Sequence, residues 1–162
     1  MKKRGQGWGF DVIVASVVFL ATLLIFFVYA LNYSSEADDS LDSLFYNADL
    51  ISSSLLSEGF PNDWNESNVV TIGIISESKV NNTKLTKLYN MTIDDEGYEN
   101  TKSILNTRYD FFFNFSTSIN IDNVSAEGIG RLPEGEPKNL ISTSRMTVYD
   151  NKPSTFKLVV WE

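Results

Sequence analysis

Residues 12–31 read VIVASVVFLATLLIFFVYAL, a run of twenty without a charge. At about 1.5 Å per helical residue it matches a hydrocarbon core of roughly 30 Å. Beyond it the apolar residues thin to a repeat. Leu41, Leu44, Ala48, Ile51 and Leu55 fall at a/d spacing, with Phe45 and Leu56 flanking and Asp38, Asp39, Asp42 and Asp49 on other faces. That pattern predicts an amphipathic helix with one apolar seam. No Gly or Pro interrupts residues 10–58; Gly59 offers a left-handed stop and Pro61 bars resumption. One helix of about 70 Å is therefore expected, apolar all round at first and on one face afterwards.

The remaining pattern is mixed. Val69–Ile75 reads as a short apolar strand, Lys84–Tyr89 as a helical turn and Tyr98–Leu105 as a second short helix. Tyr109–Phe115 reads as an aromatic strand, followed by Ser118–Ile121. Side chains alternate along a strand, so Phe112 must face away from Phe111 and Phe113. Residues 127–138 read as a Gly- and Pro-rich loop. Leu140–Tyr149 and Thr155–Trp161, around Asp150-Asn151-Lys152-Pro153, read as a closing hairpin. The expected fold class is α+β, a long N-terminal helix packed on a small antiparallel β-sheet that covers the seam.

Charge orients the chain. Lys2, Lys3 and Arg4 precede the apolar run, so the basic end is expected in the cytoplasm and residues 32–162 outside. Thirteen Lys and Arg stand against 21 Asp and Glu, and three of those cations lie before the run. The acidic remainder disfavours nucleic acid and anionic lipid surfaces as partners. Without Cys or His there is no disulfide framework, thiol nucleophile, imidazole base or usual zinc site. The acids Asp38/Asp39/Asp42 and Asp94/Asp95/Glu96 lack a calcium-loop spacing and read as a helix face and an acidic turn. No phosphate loop or nucleophile motif is present. The expectation is a non-enzyme without cofactor or metal. Six N-x-[ST] sequons, at Asn32, Asn65, Asn81, Asn90, Asn114 and Asn123, become candidate N-glycosylation sites on an exported chain.

The N-terminal segment has three readings: a cleaved secretory signal, for which the run is long; a single-pass anchor; or a prepilin leader. Arg4-Gly5-Gln6, then Phe10-Asp11 and the apolar run, resembles the class III signal of archaeal type IV prepilins. Downstream, Ser54-Leu55-Leu56-x-x-Gly59-x-Pro61-x-x-Trp64, Val70-x-Ile72-Gly73, Lys84-Leu85-x-x-Leu88, Tyr98 and Val159-Val160-Trp161 are similar to small archaeal pilin-like membrane proteins. The resemblance implies a pilin-like fold and a cut between Gly5 and Gln6. It divides the chain into a basic leader 1–5, a transmembrane or filament-core helix 6–31 and an extracellular domain 32–162. It implies a structural, minor pilin-like subunit of an archaeal surface filament or pseudopilus. Its partners would be the membrane, like subunits, a prepilin peptidase and an assembly platform with its ATPase. Asp11 would pair with a neighbour's new N-terminal amine, although here it would be the sixth mature residue where the pattern has the fifth. Outside that resemblance, it reads as an interfacial acid in a first helical turn. The alternative function is a membrane-anchored extracellular binding domain that never polymerises.

Overall fold

The computed structural model describes residues 6–121 and 124–162. The order of elements is helix α1 (Gln6–Leu55), strands β1 (Ile75–Ser76) and β2 (Lys79–Val80), helices α2 (Asn82–Met91) and α3 (Asp95–Ile104), then strands β3 (Asp110–Phe115), β4 (Ile119–Ile121), β5 (Val124–Ala126), β6 (Ile129–Gly130), β7 (Leu140–Tyr149) and β8 (Lys152–Trp161). The class is α+β. The chain divides into two compact units, Met1–Leu41 and Asp42–Glu162, and α1 contributes to both.

In the first unit, Gly9–Leu31 is long and apolar enough to cross a membrane, and none of it is buried. Its serine and threonine bond back to their own helix: Ser16 Oγ donates to Val12 O (2.8 Å) and Thr22 Oγ1 to Val18 O (2.9 Å). Such i−4 bonds let a hydroxyl sit in an apolar helix without seeking water.

In the second unit the seam behaves as its spacing predicts, with one exception. Leu44, Ala48, Ile51 and Leu55 are buried in one cluster with Phe111, Phe113, Phe156, Leu158 and Val160. Leu41 is 41% exposed, so the buried seam starts one helical turn later than its spacing suggests. The covering sheet is antiparallel, in the order β6-β3-β8-β7. β3 and β8 are in register from Asp110↔Trp161 to Phe115↔Phe156. Phe111, Phe113 and Phe115 face the core and Phe112 lies half-buried on the opposite face, where its ring abuts Gly128. Rings interlock inside: Phe113 and Phe156 are 5.2 Å apart, Phe115 and Tyr149 5.0 Å.

The terminal hairpin forms with a tighter turn than expected. Asp150 and Asn151 alone make it, both at positive φ (51° and 58°), and Lys152 and Pro153 already belong to β8. That is the geometry of a two-residue type I′ loop. A second such reversal, Glu77–Ser78 (φ 50° and 65°), joins β1 to β2. Lys79 Nζ ties the two tips by donating to Asn151 Oδ1 at 2.9 Å.

Two expectations need correction. Val69–Ile75 is no regular strand: Thr71 makes one isolated bridge to Phe60, and only Ile75 enters a strand, β1. Its β-branched residues serve the core instead, with Ile72 and Ile74 fully buried. The loop expected over 127–138 contains β6, whose Gly130 takes φ 101° with its missing Cβ against the carbonyl of Phe111.

Candidate functional site

Gly5 lies outside the described residues, and Gln6 opens α1. Asp11, one turn further, is exposed among Phe10, Val14, Ala15 and Val18. Its carboxylate has no side-chain partner among the described residues and stands beside apolar surface. A carboxylate there is costly in lipid unless paired or at the interface.

The sequons fall in unlike settings. Asn65 is exposed on the loop between α1 and β1, and Asn90 is exposed near the end of α2. Asn81 is half-buried and caps α2, its Oδ1 accepting from Lys84 N at 3.1 Å. Asn114 is half-buried in β3, opposite Lys157. Asn32 lies within α1, and Asn123 lies outside the described residues.

The Ser54–Trp64 and Val70–Gly73 motifs close around the end of α1. Ser54 Oγ donates to Ile72 O (2.9 Å), and Ile74 N donates to Leu55 O (2.8 Å), capping the helix with a crossing extended segment. Trp64 is fully buried, and its Nε1 donates to Gly73 O at 2.9 Å. Lys84 completes the knot. Its ammonium donates to Glu58 O (2.7 Å), Asn62 Oδ1 (2.8 Å) and Ile75 O (3.0 Å). Burial lowers the Lys84 pKa, and the charge of Glu58 opposes that shift. With all three donors occupied by fixed oxygens, this amine is a strut, and nucleophilic use would require breaking those bonds. Lys87 Nζ adds a bond to Trp64 O (2.8 Å) and lies 5.9 Å from the indole centroid.

An open polar hollow of about 690 Å³ lies between α3 and the sheet. Asp95, Asp110 and Glu134 line it with Arg131 and Trp161. Three of its charges are engaged: Arg131 pairs with Asp95 and stacks 4.4 Å from the Tyr98 ring, while Asp110 is bridged to Glu99 by Lys102 (3.0 and 3.2 Å). Asp94 is spent as the N-cap of α3, accepting from Gly97 N at 2.6 Å. Beneath the hollow, Tyr98 OH accepts from Phe111 N (2.9 Å) and donates to Phe111 O (3.3 Å); burial raises its pKa. Among the described residues no three acidic side chains converge as a metal site would require.

No protein-family model, curated protein or solved structure matches this chain. The residues that organise the second unit most strongly are Gly59, Trp64, Gly73 and Lys84. Each falls within one of the motif segments, which was the available signal. What it could not convey is that Gly59, Trp64 and Gly73 meet one another, while Lys84 ties the neighbouring Glu58, Asn62 and Ile75.

Proposed function

We propose that this chain is a structural, pilin-like subunit, released for assembly by a prepilin peptidase that cuts between Gly5 and Gln6. The supporting observation is α1. Its Gly9–Leu31 stretch is apolar and bare on every face, while its last turns are built into a domain core through Leu44, Ala48, Ile51 and Leu55. A bare apolar helix requires lipid or other apolar helices around it. The resemblance of Arg4-Gly5-Gln6 and Asp11 to an archaeal prepilin leader assigns that role to like subunits, drawn from the membrane with help from an assembly platform and its ATPase. The basic residues at positions 2–4 keep the leader cytoplasmic and place the acidic second unit outside, as a glycosylated surface domain.

N-terminal sequencing of the chain recovered from its own membranes tests this. Gln6 as the first residue supports processing and assembly. Retention of Met1–Gly5 overturns it in favour of an anchored extracellular domain that does not polymerise. A terminus near Leu31 leaves a secreted domain without a filament helix.

A further inference from the structure

We propose that Asn65 is the sequon at which the folded domain accepts an N-linked glycan. The inference rests on the external placement proposed above. Transfer to a sequon in a folded chain requires a reachable asparagine amide, a free hydroxyl two residues later and a backbone that an enzyme can grip.

At Asn65 all three coincide. Asn65 and Ser67 are both exposed. The Asn65 side chain receives one bond, from Ser67 N to Oδ1 at 2.9 Å, which leaves Nδ2 without a partner among the described residues. The Ser67 hydroxyl makes no bond there either. The segment is a surface turn, with Asn68 N and Val69 N both donating to Asn65 O. It is rooted at one side by the buried Trp64. A turn with free polar groups at the surface can be drawn into an enzyme cleft without breaking core contacts.

Of the other sequons in the described residues, Asn32 and Ser34 lie inside α1, and the remaining three fail on one requirement each. At Asn90 the amide is exposed, but Thr92 is 8% exposed and its Oγ1 donates to Tyr89 O at 2.9 Å, closing the end of α2. At Asn81 the side chain caps α2, and Asn82 and Thr83 lie inside the helix. At Asn114 the backbone is held in β3, while Ser116 Oγ contacts Ser154 Oγ (3.0 Å) and accepts from Thr155 N (3.0 Å).

The reaction needs a sugar carried on a polyprenyl diphosphate. Asn65 Nδ2 attacks the anomeric carbon, and a C–N bond forms as the C–O bond to phosphate breaks. The lipid diphosphate leaves with the bonding pair, and Nδ2 gives up one proton.

Glycopeptide mass spectrometry on the full chain from its own cells is the test, run beside protease treatment of the intact cells. The expected result is a glycan on Asn65, lost from the intact mass in Asn65→Gln and in Ser67→Ala, and restored in Ser67→Thr. A protease-accessible domain with Asn65 bare overturns the site while the external placement stands. Glycan on Asn81 or Asn114 with Asn65 bare overturns the accessibility argument. A domain digested only after lysis removes the external placement and the site together.

Discussion

A Cβ placed on Gly59 would stand 2.7 Å from the amide nitrogen of Gly73. The two glycines press backbone against backbone, and each excludes a side chain at the other. Gly59 also holds φ 72°, where an L side chain is disfavoured in addition to the clash.

We predict that Gly59→Ala and Gly73→Ala each lower stability by about 2–4 kcal/mol, from backbone displacement and, at Gly59, the left-handed conformation. Gly135→Ala is the control. It has φ 77° with nothing within 4 Å, and should cost only about 1 kcal/mol. Thermal melting of the full chain in detergent decides; equal losses at all three positions would dismiss the packing argument.

The seam gives a second prediction. Leu44→Ala and Ile51→Ala should each cost about 2–5 kcal/mol by opening a cavity. Leu41→Ala, at a position 41% exposed, should cost less than about 1 kcal/mol. If Leu41→Ala melts as low as Leu44→Ala, the seam extends a turn further toward the N-terminus than described.

Tyr98 gives a pH dependence with a definite sign. Burial raises its phenol above the ordinary value of 10.0. The unfolded chain therefore loses this proton first, near pH 10, while the folded chain keeps it. The stabilisation is whole below that point and is lost as pH rises toward the folded value. We predict that the urea midpoint of the parent falls more steeply from about pH 9 to about pH 11 than that of Tyr98→Phe. At neutral pH the same variant should be about 1–3 kcal/mol less stable, because Phe111 N loses its acceptor. Parallel pH profiles would show that Tyr98 titrates as it does in the unfolded chain.

Asp11 separates assembly from folding. We predict that Asp11→Ala leaves domain melting within about 0.5 kcal/mol of the parent, since Asp11 lies outside the second unit. Recovery of the chain in sheared surface filaments should fall at least about tenfold, which corresponds to about 1.4 kcal/mol of lost pairing. Undiminished recovery would leave Asp11 as an interfacial acid.

Legibility followed the range of the contacts. α1, β3 and the β7–β8 hairpin are set by local pattern: unbroken apolar residues, alternation, and Asp-Asn at a turn. They could be read directly. Residues 69–75 misled because Val69, Val70, Ile72, Ile74 and Ile75 carry strand propensity, yet their course is fixed by Ser54, Ser57 and Gly59, far back in the chain. The role of Lys84 was hidden for the same reason. Its three acceptors come from separate segments, and no spacing rule brings Glu58, Asn62 and Ile75 around one amine. The sequons were visible as triplets, but whether each hydroxyl was free depended on Tyr89, Ser154 and Thr155.

The Glu77–Ser78 reversal places two side chains in a backbone region that suits Gly or Asn, at roughly 1 kcal/mol or more for each residue. The native sequence is therefore below the best stability this fold can reach. An Asn-Gly pair at 77–78 should raise the melting temperature without touching the core, the hollow beside α3 or the apolar stretch of α1. One of the two tight turns in the domain is thus open to improvement, and a melting curve that fails to move would mean the surroundings already favour Glu and Ser there.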